Sequence, residues 1–216
     1  MKNRSLHAVL SFTVGCLAFS GLGYADTVFS DFGSHDTFQT GIGYTISGPT
    51  SPIGDTITSA MEFTSTGNFT LSQIDAAIGY VTGVNSDMFT LTTDSGGLPG
   101  SVLESWMVTG LPAFGGSYAP VTLMSIPGVM LSAGQSYWLV AAAGDSSNWS
   151  AWNENSIGET GNVDQFFSGG WHQFNGTQSA FDVIGATSSP EPASAALIGI
   201  GLLGLGGLIR RKRSQS

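Results

Sequence analysis

Lysine and arginine are missing from residues 5–209, because all six basic residues lie near the two ends of the chain. Of the fifteen Asp and Glu residues, all but Glu191 lie between Asp26 and Ser189. Binding to a nucleic-acid backbone needs clustered basic side chains, and a P-loop needs a lysine at the phosphates. We therefore predict no nucleic-acid partner. The acidic balance is typical of solubility outside the cell, and the alternative is that divalent cations relieve the repulsion between acidic sites.

Cysteine is almost absent as well. Cys16 is the only one, and it lies inside an apolar N-terminal segment. If that segment is removed, the remaining chain has no thiol for a disulfide and no cysteine nucleophile. A chain of this length buries enough apolar surface to be stable without disulfides.

The first 25 residues have the three parts of a secretory signal peptide. Lys2 and Arg4 form a positively charged start, and residues 6–19 are a mostly apolar run. Gly23-Tyr24-Ala25 then places small residues at the −3 and −1 positions that signal peptidase accepts. We therefore predict a signal peptide over residues 1–25 and cleavage by signal peptidase before Asp26.

A lipid anchor is the alternative for this end of the chain. Thr13-Val14-Gly15-Cys16 resembles a lipoprotein box, although Thr13 stands where an aliphatic residue is expected. Lipidation of Cys16 would replace cleavage before Asp26.

The C-terminal residues 188–216 carry three features in order. Pro190-Glu191-Pro192 is followed by the uncharged apolar segment 193–209 and then by Arg210-Arg211-Lys212-Arg213. As a helix, this segment is about 25 Å long, and flanking arginines extend it toward the roughly 30 Å of a hydrocarbon core. We therefore predict a transmembrane helix over 193–209. The basic cluster predicts a cytoplasmic C-terminus, which leaves the domain on the other side.

This tail resembles the PEP-CTERM sorting signal, with Ser189 where family members often carry Val. The resemblance implies that an inner-membrane exosortase recognises the tail and cleaves near Pro190-Glu191-Pro192. It also implies release or attachment at the cell surface, in bacteria that make exopolysaccharide and biofilm. The alternative is a plain single-span anchor without processing.

Residues 26–187 predict an all-β domain. Short apolar runs alternate with turn-forming residues, and no stretch keeps a helical period over three turns. The turn-rich segment 94–100 predicts a hairpin. Regularly spaced short strands favour an antiparallel β-sandwich or jelly roll. The predicted strands are 57–64, 69–81, 88–93, 102–109, 121–126, 136–143, 149–153 and 181–184.

Parts of this domain resemble the choice-of-anchor R type of surface domain. The similar segments are 69–75, Ile78-Gly79-Tyr80, the turn 94–100, and Leu131-Ser132-Ala133-Gly134-Gln135-Ser136-Tyr137-Trp138-Leu139, followed by Gly170-Trp171. The resemblance implies a fold and a surface location, and it supplies no catalytic residues. We therefore predict a non-enzymatic protein, with a hydrolase of unassigned class as an alternative.

Trp149, Trp152 and Trp171 are the candidate glycan-binding residues. Aromatic side chains in a sandwich are usually core, but an exposed ring can pack on a sugar, so carbohydrate binding is the alternative. Successive strand residues point to opposite faces, so Trp149 and Trp152 are expected on opposite faces.

We predict no cofactor and no metal site, with calcium as the alternative. The run Asp145-Ser146-Ser147-Asn148 offers oxygen ligands suited to calcium, without an EF-hand pattern. Its candidate ligands are Asp145 and Asn148.

The mature N-terminus is the first testable consequence. We expect N-terminal sequencing of the exported protein to begin at Asp26, because small residues precede this position at −3 and −1. Recovery of a lipid-modified Cys16 as the first residue would place the chain among the lipoproteins instead.

Overall fold

The computed structural model describes residues 25–126 and 128–187, and their regular structure is entirely β-strand. All named strand pairs are antiparallel, so the predicted antiparallel all-β fold is confirmed. In chain order the strands are β1 (Ala25–Ser30), β2 (Phe38–Ser47), β3 (Thr58–Thr64), β4 (Phe69–Ala76), β5 (Ile78–Thr82), β6 (Ser86–Asp94), β7 (Pro99–Thr109), β8 (Val121–Met124), β9 (Met130–Leu131), β10 (Ser136–Ala143), β11 (Trp149–Asn155), β12 (Thr160–Phe167), β13 (Gly170–Thr177) and β14 (Phe181–Thr187).

The apolar stretch 69–81 was predicted as one strand and forms two. The chain changes sheets at Ala77, whose backbone carbonyl accepts a hydrogen bond from Asn153 N and whose N–H donates to Ala180 O. Before this residue β4 pairs with β14 and β8, and after it β5 pairs with β11. The run stays apolar because both strands contribute to the same core.

Three sheets make up the described domain. The first has the order β1-β14-β4-β8, with β9 also paired to β4. The second is six-stranded, in the order β13-β12-β3-β10-β6-β7, and the third has the order β2-β11-β5. Side chains from all three sheets belong to one buried cluster.

Trp152 of β11 packs against side chains of both other sheets. Its ring centroid lies 5.4 Å from that of Phe89 in the six-stranded sheet and 5.7 Å from that of Phe181 in the first sheet. Its indole N–H donates to Ala180 O at 3.1 Å. The side chain is fully buried, so its apolar surface is removed from water and its one polar atom has a hydrogen-bond acceptor.

The predicted hairpin at 94–100 is confirmed as the β6–β7 turn. Asp94 accepts a hydrogen bond from Gly97 N at 3.0 Å, and Gly96 and Gly97 both adopt positive φ. A tight turn with positive φ is what glycine provides without steric cost. Asp94 also accepts the indole N–H of Trp138 at 2.9 Å, which ties the turn to β10.

Replacing Trp152 by alanine tests its role in joining the sheets. We expect Trp152→Ala to lower the free energy of unfolding by about 3–5 kcal/mol, the usual cost of truncating a buried large aromatic. Trp149→Ala is the matched control, since Trp149 lies on the same strand and is only half-buried. Equal losses of stability in denaturant unfolding of the two variants would contradict the assignment.

Candidate functional site

The indole N–H groups separate the five tryptophans into two sets. Trp106 donates to Met124 O, Trp138 to Asp94 Oδ1 and Trp152 to Ala180 O, at 2.9, 2.9 and 3.1 Å. Trp149 and Trp171 are partly exposed, and their N–H groups have no acceptor among residues 25–126 and 128–187. These two are therefore the tryptophans whose polar atom remains available to a ligand.

Complete burial removes Trp152 from the predicted glycan-binding set, because no face of its ring reaches the surface. Trp149 and Trp152 take opposite faces of β11, as strand alternation predicts: Trp149 lines a surface groove together with Ala151, whereas Trp152 packs in the core. Trp171 lies on β13 of the six-stranded sheet, with its ring 5.6 Å from that of Phe166. The three tryptophans do not form one platform.

The groove beside Trp149, called here the Trp149 groove, has a volume of about 420 Å³. This volume is within the range of small-molecule sites, roughly 300–1,000 Å³. Its lining includes Gly41, Ile42, Thr45, Phe114, Trp149 and Ala151.

One wall of the groove is the loop 110–118, which is fastened to β5 and β11. Phe114 N donates to Tyr80 O at 2.8 Å, and Tyr80 N donates to Pro112 O at 2.7 Å. The Tyr118 hydroxyl donates to Asn153 Oδ1. Gly79 permits this close approach, because a Cβ there would lie 2.7 Å from Phe114 Cα.

The opposite wall is a bulge in β2. Asn153 pairs with Gly43, whereas Asn155 pairs with Phe38, so the four residues 39–42 of β2 lie opposite the single residue 154 of β11. Gly41 is exposed, and the residue Ile42 is 52% exposed to solvent. A bulge of this kind bends its own strand locally, and Gly41 and Ile42 within it line the groove together with Ala151.

The chemistry of the groove is apolar with two hydrogen-bonding groups. Its lining contains no Asp, Glu, His, Lys or Arg. The hydroxyl of Thr45 and the indole N–H of Trp149 form no hydrogen bond to the rest of the described chain. The groove therefore suits an uncharged ligand that combines an apolar face with hydroxyl groups. Sequence reasoning identified Trp149 but missed Thr45 and Phe114.

Asp145 and Asn148, the predicted calcium ligands, are engaged with different partners. Asp145 Oδ1 accepts hydrogen bonds from Ser147 N at 2.8 Å and Ser147 Oγ at 2.7 Å, which hold the pKa of this carboxyl below its usual range. Asn148 is fully buried, and its Nδ2 donates to Asp87 Oδ1 at 2.5 Å. Within the described ranges, no group of three or more His, Cys, Asp or Glu residues is arranged to hold a metal.

Four aspartates are buried or largely covered without any basic partner, since residues 25–187 contain no Lys or Arg. Burial raises the pKa of Asp31 to about 8, of Asp182 to about 7, and of Asp87 and Asp164 to about 6. Desolvation penalises the charged carboxylate, and only a nearby positive charge or hydrogen-bond donors would offset it. Asp31 has one such donor, Phe181 N at 2.8 Å, while its Oδ2 atom has none.

The remaining sequence predictions fall at the two ends of the chain. Ala25 and Asp26 begin β1 and pair with Ala186 and Gly185 of β14, so the predicted cleavage point lies at the start of a strand. The sorting motif Pro190-Glu191-Pro192 and the basic residues 210–213 lie outside the described residues. No helix within the described ranges is long and apolar enough to cross a membrane.

The stability of the domain is expected to fall as pH rises. The unfolded chain has aspartate pKa values near 4, so the folded chain holds these protons more tightly. Their contribution to stability is fully present below pH 4 and is lost as pH rises through 6 to 8. We expect Asp31→Asn to raise the melting temperature at pH 8 relative to the parent, and to leave it nearly unchanged at pH 4.

Asp26→Asn is the control for this effect, because Asp26 is exposed and its replacement is expected to leave the pH profile intact. A parent protein whose melting temperature rises between pH 4 and pH 8 would contradict the assignment of protonated buried aspartates.

The chain matches no protein-family model, no curated protein and no solved structure. The chemistry of the described residues and the motifs at the two ends are therefore the basis for a function.

Proposed function

We propose that this chain is an exported, non-enzymatic protein of the bacterial surface or extracellular matrix. The observation that carries this proposal is the order of Pro190-Glu191-Pro192, an apolar segment and four basic residues at the C-terminus. Signal peptidase removes residues 1–25, and an exosortase processes the tail at the inner membrane. The acidic domain, a β-sandwich of the choice-of-anchor type, then faces outward in association with exopolysaccharide.

The positions of the domain's two ends fit this route. β1 and β14 are antiparallel neighbours, and Ala25 pairs with Ala186. The mature N-terminus and the connection to the sorting tail therefore leave the domain side by side. Cleavage before Asp26 leaves residues 26–30 to keep their pairing with β14, so processing does not require the sheet to open.

Carbohydrate binding is the second candidate function. The observation that favours it is that Trp149 is partly exposed in a groove with an indole N–H that has no internal acceptor. Tryptophans that serve only as core usually have this group satisfied when buried, as Trp138 and Trp152 do. A surface protein of this kind would hold polysaccharide at the cell exterior.

The sorting tail is tested by changing its two polar parts separately. We expect replacement of Arg210, Arg211, Lys212 and Arg213 by glutamine to impair retention and sorting, because the charges hold the C-terminus in the cytoplasm. Replacement of Pro190-Glu191-Pro192 by alanines should leave a membrane-bound precursor. Intact mass and cell fractionation report both results.

The matched control exchanges Arg for Lys and Lys for Arg at 210–213, which keeps the charge and is expected to behave like the parent. A neutral tail that is processed and located like the parent would contradict the proposed route.

A further inference from the structure

We propose that the Trp149 groove binds a single chain of an uncharged polysaccharide, an inference that depends on the second candidate function. The groove is lined by the aromatic residues Trp149 and Phe114 and by small residues that include Gly41 and Ala151. Aromatic rings offer broad apolar faces, and the C–H face of a pyranose ring is the complementary surface. Small residues leave room for a ring to lie flat.

The charge distribution around the groove favours an uncharged polysaccharide over a charged one. The groove itself has no ionisable side chain. Around it, residues 25–187 carry acidic side chains and no Lys or Arg. A polyuronate or sulfated polymer would meet repulsion from this field and would find no cation to pair with. An uncharged polymer meets neither penalty.

Hydrogen bonding adds direction to the apolar contact. The indole N–H of Trp149 and the hydroxyl of Thr45 have no partner among the described residues. Both are available to the hydroxyl groups at the edge of a sugar ring. Neither group has to break an internal hydrogen bond, so a sugar hydroxyl replaces only water at these positions.

The walls are held in place before any ligand arrives. Loop 110–118 is fixed by the backbone hydrogen bonds between Tyr80 and residues 112 and 114 and by the bond from Tyr118 to Asn153. Trp152 holds β11, the strand that carries Trp149 and Ala151, against the core. A preformed site avoids the entropy cost of ordering loops on binding.

Gly41 provides a way to block the groove without disturbing the fold. A Cβ added at Gly41 would meet no heavy atom within 4 Å, and its φ is not in the left-handed region. Gly170 shares both properties but lies on β13, outside the groove. Gly41→Leu and Gly170→Leu therefore form a matched pair, one narrowing the groove and one leaving it open.

The experiment is affinity electrophoresis of the purified full-length chain in detergent, through gels containing a neutral glucan, galactan or mannan, or the polyuronate alginate. We expect retardation by at least one neutral polymer and none by alginate. Trp149→Ala and Gly41→Leu should weaken the retention about tenfold or more. Trp171→Ala and Gly170→Leu should bind like the parent, and thermal melting of both glycine variants should match the parent.

Each contrary result overturns the proposal. A parent that binds none of the neutral polymers, or binds only alginate, excludes an uncharged polysaccharide. Loss of binding in Trp171→Ala with retention in Trp149→Ala moves the site to β13. Fractionation of the cells that produce these variants keeps the two proposals separate. A protein that binds the polymer but stays in the cytoplasm contradicts the proposed export alone. An exported protein that does not bind contradicts the proposed groove alone.

Discussion

Trp152 contacts two sheets from the central strand of a third, and so helps to join the three sheets in one core. Its ring packs against Phe89 from the six-stranded sheet and Phe181 from the first sheet, while its own strand is the centre of the third. Because side chains alternate along a strand, burying this ring turns Trp149 and Ala151 to the other face of β11. The packing of Trp152 therefore determines which face of β11 lines the groove. A change that rotates β11 would remove Trp152 from the core and Trp149 from the groove at the same time.

Hydrogen bonds take the place of ion pairs in the described domain, because its sequence offers no basic side chain apart from histidine. Asp94 fixes the β6–β7 turn and the indole of Trp138. Glu104 accepts from Ser125 Oγ at 2.6 Å and Ile126 N at 2.7 Å, which holds the end of β8 beside β7. Carboxylates used in this way stabilise turns and edges. Where an aspartate such as Asp31 is buried, binding a proton neutralises its charge. The free energy of unfolding therefore depends on pH.

Sequence pattern predicted the strands that carry short apolar runs, and it missed strands that include β1, β2, β12 and β13. β12 and β13 lie at one edge of the six-stranded sheet, where polar residues occupy both faces, so no period of two is visible. The pair Ser168-Gly169 was the available sequence signal of a two-residue hairpin turn. In the structure both residues adopt positive φ, between the paired residues Phe167 and Gly170. Alternation correctly separated Trp149 from Trp152. The wall built by Phe114 was not predictable, because local sequence does not determine which strand a long loop covers.

The adjacency of β11 and β14 through Trp152 and Phe181 also has a mechanical meaning. Suppose that the domain is anchored through the residues that follow Thr187 and that a polymer binds the proposed groove on β11. A pulling force would then act at two points that lie on different sheets. Tension would then pass from β11 through the interlocked rings to β14, which is paired on both sides by β1 and β4. An internal strand loaded along its length must shear both rows of backbone hydrogen bonds at once. The same packing that makes the core would therefore also resist a force applied along β14.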